Sequence, residues 1–215
     1  MNMDTKQILI QAGNHVAEVL SKIDPAQIDA MAKGIAKAKR VFVSGWGRAG
    51  NVAGILGMDM SQIGKVVFRV GDNNTPSIHE GDILLVMSGS GNTKTISIIA
   101  QEAKDYGAEV GLISTSAQSI IGEIADYNIV IPRIETPMNK IMAAKRPARD
   151  PKFKSTAGTR ETYDLTPEER EAITLDQVEL TYQAAFVLNE ILQHKVMEEI
   201  GETYEAIHYY HNSLE

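Results

Sequence analysis

Between residues 41 and 131, short apolar segments alternate regularly with segments whose apolar residues recur at helical spacing. This alternation restricts the fold more than any other feature of the chain, because consecutive parallel strands need a crossover connection, usually a helix, between them. The predicted strands are 41–43, 66–70, 83–87, 109–113 and 128–131, and the predicted helices are 52–63, 93–106 and 119–125. The pattern therefore predicts an α/β fold in which helices cover both faces of a parallel sheet.

The flanking segments complete one predicted domain of 215 residues. We divide it into N-terminal helices (1–40), an alternating core (41–132), an excursion (133–172), and a C-terminal helix with its tail (173–215). Asp24-Pro25 is typical of a helix start, and the last helix is predicted to begin near Leu165 or Thr174. The excursion contains four prolines and a basic cluster, so we expect either a solvated loop or a lid or subunit arm.

The strand 83–87 leads directly into Ser88-Gly89-Ser90-Gly91-Asn92-Thr93, and a helical pattern follows. Glycines allow a ligand to approach the backbone closely, and the N-terminus of a helix attracts negative charge. The hydroxyl groups add hydrogen-bond donors. This segment predicts a phosphate site, and because the G-x-x-x-x-G-K-[ST] motif is absent, a nucleoside triphosphate is not the favoured ligand.

A second glycine loop, Gly45-Trp46-Gly47-Arg48-Ala49-Gly50, follows the first predicted strand. Its G-x-G-x-x-G spacing is that of a dinucleotide site, in which Asp72 after the next strand would bind the ribose. That hypothesis leaves the loop at 88–93 without a role. Two such loops at the carboxyl ends of parallel strands favour one phosphorylated ligand held at both ends, with Arg48 next to an anionic or sugar oxygen.

Composition limits the possible partners. The formal net charge of −7 argues against nucleic acid as a partner, while a small sugar phosphate needs only local positive potential. The chain has no cysteine, which is compatible with a reducing compartment, and it has no run of about 18 apolar residues. We therefore predict a cytoplasmic protein without a membrane span. No grouping of His, Asp and Glu residues in the sequence has metal-ligand spacing, so we predict no metal site.

Three segments of the core resemble the sugar isomerase (SIS) domain family: 45–50, 74–82 and 88–93. Within that family the chain is most similar to the 6-phospho-3-hexuloisomerases, because the terminal His211-Asn212-Ser213-Leu214-Glu215 also resembles theirs. The resemblance implies a flavodoxin-like αβα sandwich with a five-stranded parallel sheet, and a homotetramer or homodimer. It also implies an isomerase that needs neither a metal nor a cofactor.

The resemblance also implies roles for individual residues. The phosphate would be held by Ser88, Gly89, Ser90 and Thr93, with Asn92 counted among the binding residues. The sugar would be lined by Ser44, Gly45 and Arg48. Asn92 stands where the family commonly has glutamate, but its side chain can still donate and accept hydrogen bonds.

The implied reaction converts arabino-3-hexulose 6-phosphate to fructose 6-phosphate through an enediol, which requires a base. The family uses a glutamate near the start of the C-terminal helix and a C-terminal histidine, often from a neighbouring subunit; the matching residue here is His211. An ungapped count places Tyr182 at the glutamate position, and Glu179 lies three residues earlier on the same helical face. We predict Glu179 and His211 as the catalytic residues. The alternatives are a non-catalytic phosphosugar sensor and a dinucleotide-binding oxidoreductase.

Overall fold

A computed structural model of the chain describes residues 4–134, 140–141, 144–145, 164–170, 180–211 and 213. The chain divides into two compact units, one of Val16–Arg133 with Leu180–Glu215 and one of Met1–His15 with Ile134–Glu179. The first of these contains the whole sheet and both glycine loops. Most of the predicted excursion lies outside the described residues, and the prediction of a single domain over all 215 residues stays a prediction.

The predicted five-stranded parallel sheet is confirmed. Its strands are β1 (Arg40–Ser44), β2 (Val66–Arg69), β3 (Ile83–Met87), β4 (Glu109–Ser114) and β5 (Tyr127–Val130). They lie in the order β2-β1-β3-β4-β5, and every neighbouring pair is parallel. This is the flavodoxin-like order, in which the chain turns to opposite sides of the sheet after β1 and after β3. Because such crossovers are right-handed, they place helices on both faces.

The described part of the chain contains helices α1 to α7. They are α1 (Thr5–Ser21), α2 (Pro25–Lys37), α3 (Gly47–Ser61), α4 (Lys94–Asp105), α5 (Ile120–Ile124), α6 (Leu180–Ile200) and α7 (Tyr204–Tyr209). The start of α2 is as predicted, since the Asp24 carboxylate accepts a hydrogen bond of 2.9 Å from the N–H of Ala26. Gly201, with φ of +74°, ends α6, and a further short helix follows that the sequence did not predict. No helix in the described part of the chain is long and apolar enough to cross a membrane.

Helix α3 begins five residues earlier than the sequence predicted. Gly47 has φ of +58°, a conformation that glycine adopts readily, so the chain turns sharply and the helix starts inside the glycine loop. Further along, a Cβ on Gly57 would lie 3.1 Å from a methyl of Val43 and 3.2 Å from a methyl of Val67. The missing side chain lets α3 lie close against β1 and β2.

Helix α6 packs along α3 and runs in the same direction. The side-chain amide of Asn189 donates to the carbonyl of Val52 at 3.0 Å, and that of Gln193 donates to the carbonyl of Asp59 at 2.7 Å. Residue numbers thus increase together along the two helices. Because α3 starts at the carboxyl ends of the strands, the first turns of α6 lie at that same edge of the sheet.

Candidate functional site

The loop after β3, residues 88–93 (the β3 loop), is a tight turn that requires glycine. Gly91 has φ of +63°, and a Cβ on it would lie 2.1 Å from Oγ of Ser119, far inside contact distance. The turn brings together the hydroxyl oxygens of Ser88 and Thr93, which lie 3.3 Å apart. Ser88 is buried, so the sequence of small residues produces a compact, hydroxyl-lined concavity.

Two carbonyl groups of the β3 loop accept hydrogen bonds from the segment after β4. The carbonyl of Gly89 accepts hydrogen bonds from the N–H and the hydroxyl of Thr115, at 3.0 and 2.7 Å. The carbonyl of Gly91 accepts one of 3.1 Å from the N–H of Ile121. These contacts occupy two of the loop's carbonyl oxygens. Sequence reasoning did not identify Thr115 as a support for the loop, although its place just after a neighbouring strand was a usable signal.

The loop also presents unused donors. Among the residues that the structure describes, the N–H groups of Gly89, Ser90 and Thr93 have no hydrogen-bond acceptor. Thr93 is the N-cap of α4, but its side chain makes no capping bond, so the first N–H groups of that helix are also available. Backbone N–H groups without acceptors and the positive end of a helix dipole thus lie within one short loop. This arrangement suits a phosphate group.

Asn92 differs from the other residues of the β3 loop. Its side-chain nitrogen donates to the carbonyl of Ser90 at 2.9 Å, and its side-chain oxygen accepts from the N–H of Ile120, also at 2.9 Å. Both ends of the amide are therefore used within the protein. The structure gives Asn92 a part in holding the loop, and direct contact with a ligand stays a prediction.

The loop after β1, residues 44–50 (the β1 loop), lies directly against the β3 loop. Ser44 is paired with Val86 in the adjacent strand, and a Cβ on Gly45 would lie 2.9 Å from the carbonyl oxygen of Met87. Both loops stand at the carboxyl ends of β1 and β3. The strand order reverses its direction between these two strands, and ligands bind at such a switch point in open α/β sheets.

Arg48 and Tyr182 meet at this edge of the sheet. Arg48 lies in the first turn of α3, and its guanidinium carbon is 4.8 Å from the centroid of the Tyr182 ring, within the range of a cation–π interaction. The hydroxyl of Tyr182 lies 3.6 Å from the position that a Cβ on Gly89 would occupy. Tyr182 thus reaches the β3 loop from α6 while its ring contacts a residue of the β1 loop.

A cavity of about 450 Å³ opens beside the β1 loop, lined by Ser44, Gly45, Trp46, Arg69 and Asp72 among others. Asp72 is the residue that the dinucleotide hypothesis would use for a ribose. Because Asp72 lines the cavity, a titration with a dinucleotide can test the dinucleotide-binding alternative directly. The cavity is large enough for a small polar ligand.

Of the two predicted catalytic residues, His211 alone lies within the described residues, and it does not lie at the β3 loop of its own chain. Glu179 lies outside the described residues. His211 follows Tyr210, whose ring atoms lie 3.0 Å from the position that a Cβ on Gly64 would occupy. Gly64 precedes β2, so His211 stands near the amino ends of the strands, at the opposite edge of the sheet from the β3 loop of the same chain.

Comparisons with known proteins agree with this geometry. The family model described as the SIS domain matches residues 34–144, which include both loops. A protein of Mycobacterium gastri named 3-hexulose-6-phosphate isomerase is 39% identical over 119 residues, covering 55% of this chain and 60% of that protein. The HTH-type transcriptional regulator RpiR of Escherichia coli is 39% identical over 61 residues, which cover 28% of this chain and 21% of the regulator. The chain thus spans about three fifths of the first of these relatives.

Among solved structures, a hypothetical protein of Methanococcus jannaschii, whose structure is reported to infer a 3-hexulose-6-phosphate isomerase function, has the same fold. Its TM-score is 0.67, its identity is 20%, and the match covers 96% of this chain and 98% of that one. At this identity the likeness concerns the fold alone. Because the SIS model matches more than half of the residues, the family itself is established: the chain belongs to the SIS domain family.

Proposed function

We propose that this protein is a cofactor-independent phosphosugar isomerase that interconverts arabino-3-hexulose 6-phosphate and fructose 6-phosphate. The observation that carries the proposal is the 39% identity to the Mycobacterium gastri protein named 3-hexulose-6-phosphate isomerase. The geometry of the two loops supports it, because a sugar phosphate has one anionic end and a polar chain. The protein would act on this ligand in the cytoplasm.

The β3 loop would hold the phosphate. Ser88, Gly89, Ser90 and Thr93 offer hydroxyl and backbone N–H donors within the loop, and the N-terminus of α4 adds its positive potential. Asn92 would contribute by fixing the loop through its bonds to Ser90 and Ile120. The sugar would extend over the neighbouring β1 loop, where Ser44, Gly45 and Arg48 lie.

The proposed chemistry is a proton transfer between adjacent carbons. A base removes the proton on C2, next to the C3 carbonyl, and the electron pair forms the 2,3-enediolate. The proton on O2 is transferred to O3, a proton is added to C3, and the carbonyl stands at C2. The substrate and the product have the same formula, so no external oxidant or reductant is consumed. Glu179 is proposed as the base, and a cation such as Arg48 would stabilise the charge on the enediolate.

We propose that His211 acts in the site of a neighbouring subunit, within a homotetramer or homodimer. The support is its position: Tyr210 packs on Gly64 at the amino edge of the sheet, while the β3 loop lies at the carboxyl edge. A histidine there is remote from the loop of its own chain.

The experiment is to incubate the purified protein with arabino-3-hexulose 6-phosphate and to follow fructose 6-phosphate with a coupled dehydrogenase. Turnover is expected in the unaltered protein. In Glu179→Gln it should fall by at least about 100-fold, which is the low end of the contribution of a general base. Binding of fructose 6-phosphate should persist in this variant. Full activity in Glu179→Gln would show that Glu179 is not the base.

A non-catalytic phosphosugar sensor is the second candidate. The observation that favours it is the 39% identity over 61 residues to the transcriptional regulator RpiR. A sensor would use the β3 loop in the same way but would bind sugar phosphates without converting them. Saturable binding of fructose 6-phosphate combined with no turnover of either hexulose phosphate would favour the sensor over the isomerase.

A further inference from the structure

Tyr182 stands at the point where the two loops of the site meet, although its place in the sequence is far from both. Its hydroxyl lies 3.6 Å from the position that a Cβ on Gly89 would occupy. Its ring lies under the guanidinium of Arg48, 4.8 Å from ring centroid to guanidinium carbon. One side chain of α6 therefore contacts both loops.

The hydroxyl of Tyr182 is available to a ligand. Within the described part of the chain it has no hydrogen-bond partner, and the side chain is only partly buried. The nearby N–H groups of Gly89 and Ser90 also lack acceptors among the described residues. The phenol of Tyr182 therefore adds one more donor next to the unused backbone donors of the β3 loop.

The ring has a separate effect on Arg48. A guanidinium placed over an aromatic face is attracted electrostatically by the ring. Arg48 is exposed and has many rotamers, so a fixed ring restricts the positions that its charge can occupy. Tyr182 can thus act on the ligand through two different groups, the hydroxyl and the ring.

We propose that Tyr182 is a ligand-binding residue of this site: its hydroxyl donates a hydrogen bond to the sugar phosphate bound at the β3 loop, and its ring positions Arg48 over the sugar. The proposal rests on the proposed function in one respect, the sugar phosphate as ligand. It makes no use of turnover. Binding can therefore test Tyr182 even if the protein proves to be a sensor.

Two substitutions separate the two effects. Tyr182→Phe removes the hydroxyl and keeps the ring under Arg48, so the dissociation constant for fructose 6-phosphate should rise about tenfold, the value of one hydrogen bond to a charged or polar group. Tyr182→Leu removes both and should raise it further. When Arg48 is also replaced by methionine, Tyr182→Leu and Tyr182→Phe should have the same dissociation constant, because the ring no longer has a guanidinium to position. The matched control is Phe186→Leu, one turn later on α6. Phe186, Tyr182 and Arg48 line a second cavity, of about 430 Å³, and this variant should bind as the unaltered protein does.

Isothermal titration calorimetry with fructose 6-phosphate and with inorganic phosphate gives the readout, with circular dichroism to verify folding. Weaker binding of both probes to Tyr182→Phe would place the hydroxyl on the phosphate group, and weaker binding of fructose 6-phosphate alone would place it on the sugar; both outcomes support the proposal. Unchanged binding of both probes to a folded Tyr182→Phe would overturn it. Binding without turnover in the unaltered protein would instead contradict the isomerase function and leave the test of Tyr182 intact.

Discussion

The side-chain oxygen of Asn92 accepts a 2.9 Å hydrogen bond from the N–H of Ile120, the first residue of α5. The nitrogen of the same amide donates to Ser90 within the β3 loop. Asn92 therefore connects the loop to the helix that follows β4. A ligand held by the loop depends on this connection without having to contact the amide.

Replacing Asn92 by alanine should loosen the loop. Two hydrogen bonds are lost, so we expect a loss of about 1–2 kcal/mol in the free energy of unfolding and weaker binding of fructose 6-phosphate. Urea unfolding and calorimetry measure the two effects. The matched control is Asn73→Ala, an exposed residue of the connection between β2 and β3, which should change neither quantity. Equal behaviour of the two variants would contradict the role assigned to Asn92.

Replacing Gly91 by alanine should be far more harmful than the same change at Gly201. Both residues have positive φ, +63° and +74°, so both variants carry a backbone cost of about 1–2 kcal/mol. Only at Gly91 does the new methyl collide with another residue, since its Cβ would lie 2.1 Å from Oγ of Ser119, whereas Gly201 has open space. We expect Gly91→Ala to lose at least about 1 kcal/mol more than Gly201→Ala in urea unfolding. Equal losses would show that the β3 loop can move to accept a side chain.

The buried carboxyl group of Asp59 should make the stability of the protein depend on pH. Burial between α3 and α6, and secondarily the charge of Glu190, raise the pKa of Asp59 to about 6, above its unfolded value of about 3.9. The folded state therefore favours the protonated group. This contribution to stability is fully present below about pH 4 and is lost as the pH rises to about 6.

The variant Asp59→Asn cannot ionise, so its stability relative to the unaltered protein should increase across this pH range. The relative gain from pH 4 to pH 7.5 should be at most about 3 kcal/mol, measured by thermal or urea unfolding. The comparison at pH 4, where the unaltered carboxyl is protonated, provides the internal control. A difference between the two proteins that stays constant from pH 4 to pH 7.5 would contradict the raised pKa.

The single tryptophan of the chain, Trp46, offers a test of the ligand class. It is 65% exposed and lines the cavity beside the β1 loop, so a ligand there should change its fluorescence. We expect a saturable change with fructose 6-phosphate and a flat titration with NAD. A saturable change with NAD alone would favour the dinucleotide-binding alternative.

The order of strands and helices could be predicted because each element leaves a local pattern in the sequence. The run from Ile83 to Met87 is apolar throughout and forms β3, a central strand in which every residue is buried. The β3 loop could also be located, since small hydroxyl residues and glycines follow that strand directly. Local composition thus specified the sheet and the position of the two loops along its edge.

The contacts between distant segments could not be predicted in the same way. The approach of Tyr182 to Gly89 depends on how α6 packs along α3, which no local pattern encodes. The hydrogen bonds of Asn92 could not be predicted either, because a side-chain amide that binds a ligand and one that supports a loop look the same in a sequence. The choice of Glu179 came from a family motif, and this residue lies outside the described part of the chain.

The most direct test of the proposed isomerase is the conversion of arabino-3-hexulose 6-phosphate by the purified protein, followed by NMR in deuterated water. We predict that fructose 6-phosphate appears, carrying deuterium on C3 to the extent that the base exchanges its proton with solvent. Ser88→Asp, which places a negative charge where the phosphate would bind, should abolish the conversion. An unaltered protein that is folded, binds the sugar phosphate and yet leaves it unconverted would contradict the proposed isomerase.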